Sequence, residues 1–303
     1  MPQTILITGG TGLVGSRITE LLLKTGNQVR YLSRTPGTKQ HGITAYAWDV
    51  EKQTIDEEAF KGVDSIIHLA GAGVADKQWT PQRKKEILES RTASTSLLRN
   101  TLNSIDHHVK TFVSASAIGY YGWNSGGVWK KEESRFGDDF LATVTKAWEE
   151  EADQIGALGL RVVKLRIGIV LSTEGGALAE LIKPIKLGVG APLGGGDQYM
   201  SWIHVDDLAN MFIHAAEHAE LEGVYNAVAP NPETNEVVTK TAAEVLNKPC
   251  FMPNVPGFVI KLMLGQRAAM VLGGSRVSAD KIMSSGFNFQ YPDLEPALQD
   301  LLR

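Results

Sequence analysis

Thr4-Ile5-Leu6-Ile7-Thr8-Gly9-Gly10-Thr11-Gly12-Leu13-Val14-Gly15 is the stretch that decides the fold. Ile5, Leu6 and Ile7 suit a buried parallel strand, and the spaced glycines follow at once. Gly9, Gly12 and Gly15 would turn the chain, let its backbone approach a pyrophosphate, and allow a helix to pack closely on the strand. Leu13, Val14, Ile18, Leu21 and Leu22 give the next segment an apolar helical side. The start of that helix would aim free N–H groups and the positive end of its dipole at a phosphate. Glycines at such spacing also close ordinary turns. A strand before and a helix after is the context that makes Gly9, Thr11, Gly12, Leu13, Val14 and Gly15 a dinucleotide cradle.

Outside this stretch the composition is that of an ordinary globular chain. The 303 residues suffice for one large domain or two moderate ones, with 43% hydrophobic and 21% charged residues. A net charge of −4 gives no reason to expect nucleic acid or an anionic membrane as partner, so any anionic ligand must be held locally. The single cysteine, Cys250, rules out an intrachain disulfide and a Cys-based zinc cluster, and no metal is expected. The start of the chain lacks the basic and apolar regions of a signal peptide, and nothing approaches the ~18 apolar residues that span a bilayer. A cytoplasmic protein is expected, although an organelle protein after transit-peptide removal would look the same.

Further along, Gln28–Ser33 reads as a second strand ending at Ser33-Arg34-Thr35-Pro36-Gly37. NAD-binding folds commonly place an acid here for the ribose 2′-OH, whereas an arginine beside a hydroxyl suits a 2′-phosphate. No Asp or Glu lies between Val29 and Lys39, so Ser33 and Arg34 favour NADP(H) over NAD. A third strand from Ile43 to Ala47 leads to Asp49, placed to meet the adenine edge, and residues 54–62 resemble a short helix. Ser65–His68 is a fourth strand, and the small-residue turn Leu69-Ala70-Gly71 would let a cofactor lie against the backbone. His68 within so apolar a run reads as a packed core histidine. Thr80-Pro81 marks a helix start, and Glu86, Ser90, Arg91 and Ser94 share one polar stripe of that helix. Glu86 and Arg91 are candidates to touch or orient the cofactor; a solvated stripe is the alternative. Lys110–Ser114 is the fifth strand and opens into Ala115-Ser116-Ala117-Ile118-Gly119-Tyr120-Tyr121-Gly122. Gly159–Arg166 is the sixth, continuing into Ile167–Leu171, where Ile169 would pack beside a nicotinamide.

The glycine run, His68-Leu69-Ala70-Gly71, the serine-rich strand end with its Tyr-Gly, and Trp202-Ile203-His204-Val205-Asp206-Asp207 together resemble the extended short-chain dehydrogenase/reductase superfamily. Trp148-Glu149, Gly175-Gly176-Ala177-Leu178 and Gly190-Ala191-Pro192-Leu193-Gly194 are similar to its atypical, NAD-dependent epimerase/dehydratase-like branch, the epimerase family proteins. The resemblance runs from Thr4 to Leu301. It implies an α/β Rossmann fold, a doubly wound parallel sheet with a smaller, mostly helical C-terminal substrate lid. Residues 1–170, with strands near 202–205 and 224–228 returning to them, would hold NADP(H); residues 171–200 and 230–303 would form the substrate-binding region.

The superfamily ordinarily works with a tyrosine as general acid/base and a lysine four positions on, with a serine supporting the substrate oxygen. Ser116 matches the serine and Lys146 the lysine, and Ser114 on the same strand is a candidate cofactor contact, but the position four before Lys146 is Ala142. None of the seven tyrosines has a lysine four residues later. Three readings follow: Tyr120 or Tyr121 supplies the proton, water or substrate manages it, or the chain binds NADP(H) without turnover. The expectation is an NADP-dependent oxidoreductase or epimerase-like protein for a small polar or nucleotide-linked substrate, monomer or homodimer. A non-catalytic NADP(H)-binding regulatory or sensor protein is the alternative.

Overall fold

The computed structural model describes residues 2–303, Asn124 by its backbone alone. Seven parallel strands form the main sheet: β1 (Thr4–Thr8), β2 (Gln28–Ser33), β3 (Thr44–Asp49), β4 (Ser65–His68), β5 (Thr111–Ala117), β6 (Arg161–Ile167) and β7 (Gly223–Ala227). Their spatial order is β3-β2-β1-β4-β5-β6-β7, extended by the short antiparallel pieces Gly37–Thr38 and Thr54–Ile55 beside β3. Among the described residues ten α-helices accompany them: α1 (Leu13–Lys24), α2 (Pro81–Ser104), α3 (Phe140–Gly156), α4 (Gly176–Lys186), α5 (Val205–Glu217), α6 (Asn235–Val245), α7 (Gly257–Leu264), α8 (Ala269–Leu272), α9 (Asp280–Ser284) and α10 (Leu294–Leu302).

Alternation along the strands explains the layers. Ile5 and Ile7 of β1, with Val113 of β5 and Val163 and Leu165 of β6, face Ile18 and Leu22 of α1 and Leu208 and Phe212 of α5. Leu6, Ile66, Phe112 and Val162 point the other way, against Leu97, Leu98 and Leu102 of α2 and Ala152 and Ile155 of α3. With helices on both faces, the strand centres are apolar on both sides, Ile5-Leu6-Ile7 of β1 and Ile66-Ile67 of β4 among them. Arg17 of α1 grips Asp206 of α5 with two hydrogen bonds of 2.6 and 2.8 Å, tying the two helices of one layer. A third apolar cluster, around Trp202, joins α4, α6 and α10 in the C-terminal part. Asp207, whose carboxyl is raised by burial, accepts the backbone N–H groups of Gln290 and Tyr291 and fastens the tail to α5.

Two local expectations change. The segment 54–62 begins as the strand Thr54–Ile55, paired with Trp48 and Asp49, and only Glu57–Phe60 winds into a helical turn. Of the two later strands expected to return to the sheet, β7 does so beside β6. Trp202–His204 instead pairs with Ile169–Leu171 in a separate two-stranded ribbon. Gly168 explains the switch: it donates to Ala227 O at 3.0 Å, and a Cβ on it would stand 2.3 Å from Ser201 O. Only a glycine lets the chain pass from one partner strand to the next at this distance.

Candidate cofactor cleft and active-site network

The strand order reverses between β1 and β4, where open α/β sheets leave a crevice at their carboxyl edge. Gly9 sits at φ +71° in the turn after β1, and a Cβ there would press to 3.1 Å on the backbone of Leu69 after β4. Gly15 lies so close to the turn that a Cβ would be 2.4 Å from Gly9 O. The first turn of α1 has no side-chain cap and no acidic residue, so its N–H groups face the crevice uncompensated.

A cleft of about 1460 Å³ opens there. Gly9, Thr11, Ser33, Arg34, Asp49, Ala70, Gly71 and Glu86 all line it, with Tyr31, Trp48 and Ser90 among the residues between them. Ser33 Oγ accepts the N–H of Thr35 at 3.2 Å. Arg34 is exposed, with no hydrogen bond or ion pair among the described residues. Asp49 accepts the N–H groups of Glu51 and Lys52, both at 3.0 Å, and its carboxyl is held low mainly by the Lys52 backbone bond. Gly12 is the N-cap of α1, Leu13, Val14 and Gly15 form its first turn, and Leu69 follows β4; these five stand behind the lining residues rather than among them.

The wall of the cleft after β4 is braced by the polar stripe of α2. Thr8 Oγ1 bonds His68 Nδ1 at 2.8 Å and accepts the N–H groups of Leu69 and Ala70, so the two strand ends at the switch point are joined. His68 Nε2 meets Ser94 Oγ at 3.3 Å and Thr95 Oγ1 at 3.1 Å. Burial, then the charge of Arg91, pushes the pKa of His68 down to about 3, and the ring is neutral. Ser90 Oγ accepts the Ala72 N–H at 2.9 Å. Four successive carbonyls are then taken by side-chain donors: Ala72 O by Arg91, Gly73 O by Arg83, Val74 O by Trp79 and Ala75 O by Arg267. Arg91 thus orients the loop, and burial lowers its pKa to about 10. Glu86 pairs with Arg83 at 2.7 Å, which holds its carboxyl low.

On the other side of the switch point, register brings Ser116 of β5, Arg166 of β6 and Asn226 of β7 into one row. Arg166 and Glu149 of α3 form a buried bidentate pair, Nε to Oε1 and Nη2 to Oε2, both 2.8 Å. Ser116 Oγ donates to Glu149 Oε1 at 2.5 Å. Tyr121 donates to Asn226 Oδ1 at 2.6 Å and accepts from Arg166 Nη1 at 2.9 Å. Burial raises the Tyr121 phenol to about 12 despite the neighbouring cation, so it stays protonated and fully engaged. Tyr120 differs: its ring lies under the Arg166 guanidinium, 3.4 Å from Cζ to the centroid, and its hydroxyl has no partner among the described residues.

Other expected residues stand apart from this row. Lys146 pairs with Glu150 at 3.6 Å and lies over the ring of Phe136 at 4.5 Å, with no hydrogen bond or ring contact to either tyrosine. Ser114 Oγ bonds Ala115 O at 2.9 Å, and Ile169 belongs to the two-stranded ribbon. Arg166 and Asn226 are not singled out by the sequence, and Glu149 only as part of the family-like pair Trp148-Glu149, with no site role. The available signal is a charge on a buried face: Glu149 beside Trp148 on the inner side of α3, and Arg166 in a strand that also carries Arg161 and Lys164.

The strand order, the glycine turn at its reversal and the uncapped helix behind it define a Rossmann-type NAD(P)-binding protein of the short-chain dehydrogenase/reductase kind. The chain belongs to the NAD dependent epimerase/dehydratase family, whose model matches residues 5–227; a domain of unknown function, DUF1731, matches residues 255–301. It is 36% identical to the epimerase family protein YfhF of Bacillus subtilis over 99% of this chain and 98% of that one. The chloroplastic SDR39U1 homolog of Arabidopsis thaliana is 34% identical, over 99% of this chain and 87% of the relative. Among solved structures, human epimerase family protein SDR39U1, crystallised with NADPH, superposes with a TM-score of 0.87 at 31% identity, covering 98% of each chain.

Proposed function

We propose that this chain is an NADP(H)-dependent oxidoreductase or epimerase-like enzyme acting on a small polar or nucleotide-linked substrate. The choice of NADP(H) rests on the end of β2, where an unpartnered Arg34 beside Ser33 borders the cleft and no carboxylate stands ready for a ribose 2′-OH. The NADPH bound to human SDR39U1 supports the same choice. In this reading Gly9, Thr11, Gly12, Leu13, Val14 and Gly15 would hold the cofactor pyrophosphate, Asp49 would meet the adenine end, and Leu69, Ala70 and Gly71 would supply the backbone wall. The substrate lies between the carboxyl ends of β5 to β7 and residues 171–200 and 230–303. The protein works in the cytoplasm as a monomer or homodimer.

Tyr120 is the proton donor in this proposal, because its hydroxyl is free whereas that of Tyr121 is committed. Ser116, Glu149 and Arg166 position it. Titration of Arg34→Ala with NADPH and NADH tests the cofactor assignment. A lost charge-assisted phosphate contact of about 1.5–3 kcal/mol weakens NADPH roughly 10- to 100-fold and leaves NADH nearly unchanged. An unchanged affinity ratio refutes it. A non-catalytic NADP(H)-binding sensor is the second reading, favoured by Ala142 at the tyrosine position and by the engaged Ser116 and Tyr121 hydroxyls. NADPH binding without oxidation across a panel of carbonyl compounds and sugar nucleotides would select it.

A further inference from the structure

The arginines withdrawn from solvent have partners in nearly every case. Arg17 holds Asp206, Arg83 holds Glu86, Arg166 holds Glu149, and Arg91 and Arg161 are spent on carbonyls. Arg276 is the exception. It is half-buried, its Nε is shielded from solvent and unsatisfied, and its guanidinium has no hydrogen bond or carboxylate partner among the described residues. What it has is two aromatic rings: Cζ lies 4.2 Å from the centroid of Trp129 and 4.9 Å from that of Tyr199. A guanidinium packed on ring faces keeps its N–H donors at the edge of its plane, in the fork that matches an oxyanion.

The support for this group is rigid and lies beside the tyrosine turn. Arg276 is on the strand Gly274–Val277, paired in parallel with Asn124–Lys130. Ser275 Oγ donates to Gly122 O at 3.1 Å, immediately after Tyr120 and Tyr121. Ser201 Oγ donates to Ser275 O and accepts from Val277 N, at 2.7 and 2.9 Å. Gly274 lies so close to Tyr199 that a Cβ would stand 2.2 Å from its carbonyl oxygen. In a chain of net charge −4, an anionic ligand needs such a local cation.

The geometry points to Arg276, flanked by Trp129 and Tyr199, as the receiving site for an oxyanion, phosphate or carboxylate, on a small substrate. That this ligand is a substrate rests on the function proposed above; the anion site itself stands independently of it. Full-length protein is titrated with inorganic pyrophosphate and with malonate, at saturating NADPH and without it, following tryptophan fluorescence, with Trp129→Phe identifying the responding ring. Arg276→Gln weakens the bound probe at least about tenfold. Arg276→Lys is intermediate, since it keeps the charge and loses the planar fork. Both variants retain wild-type NADPH affinity and melting temperature. Response to pyrophosphate alone assigns a phosphate, to malonate alone a carboxylate. Wild-type binding of both probes by Arg276→Gln, or no binding by the wild type, overturns the site. Failure of the wild type to bind NADPH overturns the cofactor reading instead, and the cofactor-free titration still decides this one.

Discussion

His68 makes the switch point of the sheet sensitive to acid. Its pKa falls from 6.5 to about 3 on folding, first through burial and then through Arg91. Below pH 6.5 the unfolded chain takes up a proton on this ring that the folded chain refuses, so stability drops as pH falls through that range. Linkage with these two values gives a loss of about 2 kcal/mol between pH 7.5 and pH 5. His68→Gln retains groups for Thr8, Ser94 and Thr95 and removes the titration. Urea unfolding of both proteins at the two pH values measures the difference of differences, which cancels every other titrating group. The wild type should lose about 2 kcal/mol more than the variant over this interval. Equal losses in the two proteins would show that His68 accepts a proton in the folded state, and the account of the switch point would fail with it.

Further outcomes follow from the row at the ends of β5, β6 and β7. Glu149→Ala leaves the buried Arg166 cation without its counterion and should cost about 3–5 kcal/mol, while Glu149→Leu combined with Arg166→Met costs much less than the two single changes summed. Additive losses in urea unfolding would mean the pair is not coupled. Should turnover be found, Tyr120→Phe lowers NADPH oxidation by about 10²-fold or more at unchanged NADPH affinity. Tyr121→Phe lowers the melting temperature more than Tyr120→Phe does, because it strips Asn226 and Arg166 of a buried partner. The reverse ranking of the two variants would exchange the roles assigned to them.

Local constraints were legible in the sequence and distant ones were not. The turn at Gly9 and the close approach at Gly15 are requirements of single backbone positions, and the residues around them announce a strand and a helix. Thr80 caps α2, accepting the N–H of Arg83 at 3.1 Å, with Pro81 in the first turn, and this too is written in adjacent residues. Ser116, Glu149, Arg166 and Asn226 are brought together by strand register and by α3, across more than a hundred residues, and no spacing rule connects them. Lys146 stands at the lysine position of a motif whose tyrosine is replaced by Ala142. The structure puts it over Phe136 and against Glu150, one turn of α3 from the acid that does face the sheet. The pairing of Asn124–Lys130 with Gly274–Val277 was equally hidden, since the first of these segments offers little apolar alternation.

The four carbonyls from Ala72 to Ala75 have a consequence for how the chain may be cut or rebuilt. Three are held from within the first half, by Arg91, Arg83 and Trp79, and the fourth by Arg267, nearly two hundred residues later. The loop that follows the candidate cleft's Gly71 and Ala72 therefore belongs to two neighbourhoods of the fold at once. A fragment ending after β7 would keep every strand of the main sheet and still present this loop with one strut missing. The C-terminal segment is in this sense a masonry element of the candidate cleft, and transplanting the first half alone onto another tail would carry over the glycine turn but not the full setting of the loop beside it.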